Sequence, residues 1–211
     1  MTQLYRLDAN AGEIAVRFGA KLGDDPWSGG YVAPGRFAPV VTAGREFIAG
    51  PQPAGRRLQP RIVPRLWGVL PPPSANDPAR RITTVRNPDS PFWIGNLRNS
   101  EFRCLVPATS VMLWGGGTDY EGRRLKHWFA PRGDGLFAMA GVWKDEEVPG
   151  FAVLAVDAVG EPARAGCKSM PITVSSDEEA RQRWLHGAWD SACKVIECAG
   201  SAPLIEQTPA P

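Results

Sequence analysis

The chain has little histidine and no paired cysteine spacing. Its two histidines, His127 and His186, leave few imidazole bases, and each reads as a surface or packing residue in its local context. The four cysteines, Cys104, Cys167, Cys193 and Cys198, form no CxxC or Cys/His pattern, so the sequence offers no zinc site and no cofactor is expected. In a chain this long without a secretory leader they read as reduced thiols. No apolar run is long enough to span a bilayer, and the N-terminal MTQLYRLDANAGEIAVRF lacks the pattern of a signal peptide. The expected setting is therefore the cytoplasm, away from membranes. Also missing are GxGxxG, a Walker loop, HExxH and GxSxG, which removes the common nucleotide and hydrolase fingerprints.

What is present is turn chemistry. With 23 Gly and 21 Pro in 211 residues, about a fifth of the chain favours turns and irregular connections over helical bundles. Short runs with strand character recur at Tyr5–Leu7, Ala38–Ala43, Ile62–Leu70, Ile82–Val85, Cys104–Val106, Val111–Trp114, His127–Ala130, Leu136–Trp143 and Phe151–Val156. Ala38–Ala43 and Arg45–Ala49 suggest a hairpin about Gly44, Gly115–Gly117 a flexible turn, and Lys194–Cys198 a last strand. Asn10 with Glu13, and Ser175 with Glu178, have the spacing of capping boxes, the second opening a helix to about Trp189. The expected fold is α+β and mostly β: a strongly curved antiparallel sheet or open barrel with a few flanking helices. It would form one domain over residues 1–200, with a loose tail over 201–211.

Net charge is +2, but it is unevenly distributed. From Arg45 to Arg103 there are ten Arg, no Lys and four acids, whereas the remainder is net acidic. Guanidinium groups match phosphate oxygens, so this stretch suits either a phosphate-facing surface or an ordinary solvated basic face. Trp67 beside Arg65, and Trp93 beyond Arg86, could stack unpaired bases or fill the core. Cys104 reads as a core thiol.

The pieces MTQLYRL, YVAPG (31–35), RLWGVLPPP (65–73), TTVRNPDSPFW (83–93), RCLVPATSVMLW (103–114), FAMAGVW (137–143) and GCKSMPITV (166–174) together resemble the SOS-response-associated peptidase (SRAP) family, over residues 1 to about 185. The resemblance implies the SRAP fold and recognition of abasic sites in single-stranded DNA within the DNA damage response. In that family an N-terminal cysteine, freed by loss of Met1, traps the sugar aldehyde as a thiazolidine crosslink and in some members removes a leader peptide. An Asn orients the terminus, a Glu and a His move protons, and an Arg holds a phosphate.

Every catalytic position departs from that pattern. Thr2 stands for the cysteine, Thr84 for the Asn, Leu113 for the Glu, and Gly166 or Cys167 for the His. The DNA-facing residues that the resemblance retains are Arg86 with Arg65, Trp67, Asn87 and Trp93. The sequence thus leads to a monomeric DNA-binding pseudoenzyme. Two other readings stay open. One is an active abasic-site lyase or peptidase using the Thr2 amine or Cys167, whose thiol Arg164 and Lys168 could acidify. The other is a protein-interaction module that keeps only the fold.

Overall fold

The computed structural model describes residues 4–44, 58–77, 79–133, 135–197 and 203–207. The chain opens with β1 (Leu4–Leu7) and α1 (Ala11–Phe18). The Asn10–Glu13 capping box forms as the sequence predicts, with both reciprocal hydrogen bonds made, and Gly19 closes the helix in the left-handed region. Next come β2 (Gly30–Val32), β3 (Phe37–Thr42), β4 (Arg61–Trp67) and β5 (Thr84–Val85), then α2 (Ile94–Arg98). The central strands are β6 (Arg103–Ala108), β7 (Ser110–Thr118), β8 (Arg124–Pro131), β9 (Phe137–Lys144) and β10 (Gly150–Asp157). The chain continues through α3 (Gly160–Arg164), β11 (Ser169–Pro171), β12 (Thr173–Val174), α4 (Glu178–His186), α5 (Trp189–Glu197) and β13 (Leu204–Gln207).

The strands form two sheets. One runs β13-β8-β7-β1-β2, and the other β11-β10-β4-β3-β6-β9-β12, with β5 beside β10. In the larger sheet β9 also pairs with β10, so the ring β10-β4-β3-β6-β9 returns to its start. The expected curved sheet therefore closes as a small barrel, and the β4–β10 and β5–β10 pairs are parallel in an otherwise antiparallel sheet. Closure removes exposed edges and lets both faces of several strands be apolar, which is why β6 and most of β9 are buried along their length.

The hairpin expected about Gly44 falls on 45–49, which lie outside the described residues, while β3 pairs with β4. Other expectations are corrected. Gly115–Gly117 are part of β7, where the register shifts between Trp114 and Thr118 instead of turning. The helix expected from Ser175 begins at Asp177, whose side chain accepts from the Glu179 N–H, while Ser175 accepts from Asp177 N–H in the turn before it. Lys194–Glu197 is the end of α5, because Ala192 and Val195 bury one helical face and override the β propensity of a short apolar run; Cys198 lies outside the described residues. The segment after 200 also contains order, since β13 pairs with β8 from Leu204↔Pro131 to Gln207↔Trp128.

Candidate functional site

Trp67 ends β4 with its ring fully buried. It meets Tyr5 edge-on at 5.1 Å between centroids and stacks with Phe151 at 6.3 Å. Its indole N–H donates to the Thr83 carbonyl at 3.1 Å. One core ring thus ties the start of β1 to the segment carrying Thr84 and Arg86. Thr84 pairs with Val153 on β10, and its hydroxyl is buried with no hydrogen-bond partner among the described residues. Arg86 is exposed and pairs with Asp157 at the end of β10, Nη2 to Oδ1 2.5 Å. Ser169 pairs with that same Asp157, bringing the 166–169 turn to this corner.

The same turn touches β7. Gly116 N–H donates to the Ala165 carbonyl at 2.9 Å. Gly166 has φ +74°, and a Cβ there would lie 2.6 Å from the Gly116 nitrogen. Leu113 is fully buried on β7 and carries no titratable group. Thr84, Arg86, Leu113, Gly166 and Cys167 are therefore held on elements that adjoin one another, although far apart in sequence. Thr2 lies outside the described residues.

Cys167 is buried, and burial pushes its thiol pKa up despite the opposing field of Arg124. Desolvation is the largest influence on this thiol, and neither Arg164 nor Lys168 is among the charges that act on it. Cys104, fully buried, is raised for the same reason. Trp93 is buried as well, edge-on to Phe92 at 4.7 Å. Neither Trp67 nor Trp93 has an open ring face for a base, so both rings fill the core.

The arginine-rich middle does not form one face. Arg65 is buried, donates to the Pro64 carbonyl and lies 4.6 Å from the Trp143 ring centre. Arg103 is buried and donates to the carbonyls of Trp184, Leu97 and Gly187; burial lowers its pKa to about 10. Arg81 donates to the Gly68 carbonyl and faces Glu146. Arg61, Arg80, Arg86 and Arg98 are exposed, and Asn87 is exposed in a turn, its side chain accepting from Asp89 N–H. Arg45, Arg56 and Arg57 lie outside the described residues.

A different surface interleaves aromatics with cations. On the outer face of the five-stranded sheet, register aligns Arg6 with Tyr31 and Ser110, Met112 with Trp128, and Trp114 with Lys126. Arg6 lies 5.6 Å from the Tyr31 ring centre, and Tyr31 meets Trp128 at 5.7 Å. Arg124 and Lys126 lie 5.6 and 5.5 Å from the Trp114 ring centre. A cleft of about 500 Å³ is lined by Trp114, Asp119, Arg123, Arg124, Leu125 and Lys126. Sequence reading missed this surface because its residues come from four strands. Period-two alternation in β8 (Arg124, Lys126, Trp128) was the available signal.

The family model for the SOS response associated peptidase (SRAP) matches residues 1–204. The chain belongs to the SRAP family. Solved structures agree on the fold. A Bordetella bronchiseptica protein superposes with TM-score 0.67 at 13% identity, over 91% of this chain and 92% of its own. A phage-related protein of the same organism gives 0.68 at 15%, over 97% and 93%. A Bacteroides thetaiotaomicron protein gives 0.66 at 15%, over 92% and 85%. No functionally curated protein matches. SRAP membership associates the chain with the DNA damage response and with DNA. Among the described residues there is no metal-ligating cluster, and no helix long and apolar enough to cross a membrane.

Proposed function

We propose that this SRAP protein binds single-stranded DNA, including strands with an abasic site, without the family's cysteine-dependent crosslinking and self-processing. The observation that carries the reading is the outer sheet face, where Tyr31, Trp128 and Trp114 alternate with Arg6, Lys126 and Arg124. Aromatic faces stack bases whatever their identity, and interleaved cations follow the phosphates. Exposed Arg86 adds a fork suited to a phosphate.

Loss of the thiol chemistry rests on four positions. Thr2 offers a hydroxyl whose pKa lies far above a thiol's. Leu113 carries no carboxylate, Gly166 sits where a side chain would strike Gly116, and the buried Cys167 thiol resists ionisation. The protein acts as a cytoplasmic monomer formed by a single domain.

The test is a binding titration on a single-stranded oligonucleotide across a salt series. Affinity should fall steeply as salt rises, because released counterions drive phosphate binding. Salt-independent or absent binding overturns the reading.

A further inference from the structure

We infer that the cleft beside Trp114 seats the terminal nucleotide of a DNA strand and holds its phosphomonoester between Arg124 and Lys126. The seat rests on the reading that the outer sheet face binds single-stranded DNA, and adds to it the recognition of a strand end. Arg124 and Lys126 lie 5.6 and 5.5 Å from the centre of the Trp114 ring. The indole supplies an apolar floor for a sugar or base, and the two cations gather the phosphate oxygens.

The cleft exists because the β7–β8 hairpin is bent. Trp114 pairs with Lys126 and Thr118 with Arg124, which leaves Gly115–Gly117 opposite Leu125 alone. Extra residues on one strand bend it and increase its local twist. Gly117 takes up part of the bend at φ +78°, where a side chain would be strained. The end of the hairpin thus frames, with Trp114, the space of about 500 Å³. That volume lies within the roughly 300–1,000 Å³ of small-molecule sites. The hairpin tip is fastened by Asp119, whose carboxylate accepts from the Glu121 N–H and the Arg123 N–H at 2.9 Å. It also accepts from Arg123 Nε at 3.0 Å, while Gly122 N–H donates to the Asp119 carbonyl at 3.0 Å.

Charge divides along the hairpin. The tip, 119–123, carries Asp119, Glu121 and Arg123, a net of −1. Arg123 is engaged by both carboxylates. The hydrogen bond from the Arg123 backbone holds the Asp119 pKa below its ordinary value, so this carboxylate stays ionised at neutral pH. Next to the tip, Arg124 and Lys126 are exposed and, among the described residues, form no ion pair with a carboxylate. Two uncompensated cations beside a net-negative tip separate a strand end from a strand passing through. A passing strand would carry its next phosphodiester toward Asp119 and Glu121. A terminal phosphomonoester has a charge of about −2 at neutral pH, which matches the two cations, and nothing follows it. Either end of a strand, 5′ or 3′, can supply that group.

The experiment titrates the full chain against one single-stranded oligonucleotide, labelled at an internal base, in three forms. These carry a 5′-phosphate, a 3′-phosphate, or hydroxyls at both ends, and fluorescence anisotropy reads the affinity. At least one phosphorylated form should bind about fivefold more tightly than the hydroxyl form, the scale of two exposed ion pairs. Which form gains assigns the end that is seated. Arg124→Gln and Lys126→Gln should each remove most of that ratio, whereas Arg98→Gln, an exposed charge lost on α2, should keep it. Each variant is its own reference, because both strands meet the same folded protein. Equal binding of the three forms by the wild type overturns the inference while leaving DNA binding intact. So does a preference that survives both cleft variants, or one that falls as much in Arg98→Gln. Failure of the wild type to bind any of the three forms overturns the binding reading itself.

Discussion

The indole N–H of Trp67 and the carbonyl of Thr83 are joined at 3.1 Å in the interior of the barrel. This bond fastens the segment bearing Thr84 and Arg86 to β4. Trp67→Phe removes one of two donors to a carbonyl that still accepts from the Val153 N–H at 3.0 Å, and should cost about 0.5–1.5 kcal/mol, whereas Trp67→Ala should cost about 3–5 kcal/mol. Urea denaturation measures both. DNA affinity of the folded Phe variant should stay at the wild-type level; a large loss would mean that the ring stacks on DNA after all.

On the outer sheet face the expectation reverses. Trp114→Ala and Trp128→Ala should each weaken single-stranded DNA binding by about 1–3 kcal/mol. Lys126→Ala and Arg124→Ala should each reduce the salt dependence of binding by about one phosphate contact. Unchanged affinity in all four variants would place the DNA elsewhere.

Alkaline pH should destabilise the fold. Burial raises the Cys104 thiol, the Cys167 thiol and the Tyr5 phenol above their unfolded values. Below the unfolded values, about 8.5 for a thiol and 10 for tyrosine, these groups are neutral in both states and the stability is fully present. As pH rises through them, the unfolded chain ionises first and stability falls. The urea midpoint at pH 10 should therefore lie below that at pH 7, and equal midpoints would refute the assignment.

Gly166→Ala should destabilise the 165–167 turn. It places a side chain at φ +74° and against the Gly116 nitrogen. The left-handed conformation alone costs about 1–2 kcal/mol. A fall in melting temperature checks this. An unchanged value would show that β7 yields there.

Local signals in the sequence carried through where local physics decides. The Asn10–Glu13 box needs only four residues to satisfy itself, and it forms as read. The strands at β6 and β9 also match, since each is a compact apolar run. Lys194–Glu197 failed because a short apolar run looks alike in strand and helix until Ala192 and Val195 find a core to face. The arginines of the middle segment differ in fate for a similar reason: composition counts Arg103 as surface charge, whereas its three carbonyl acceptors exist only once α2 and α4 have packed. The pairing of His127 with Glu206 was not legible in the sequence because the two lie 79 residues apart.

The strand that supplies Glu206 lies at the end of the five-stranded sheet and, among the described residues, pairs only with β8. End strands are the first part of a sheet to fray, at a free energy below that of global unfolding. Peeling β13 away would separate Glu206 from His127 while leaving the barrel ring intact. Amide hydrogen exchange along Leu204–Gln207 should thus be faster than along β6 or β9, and a ligand that slows it would be acting as a clasp on the far side of the sheet from the stacked aromatics.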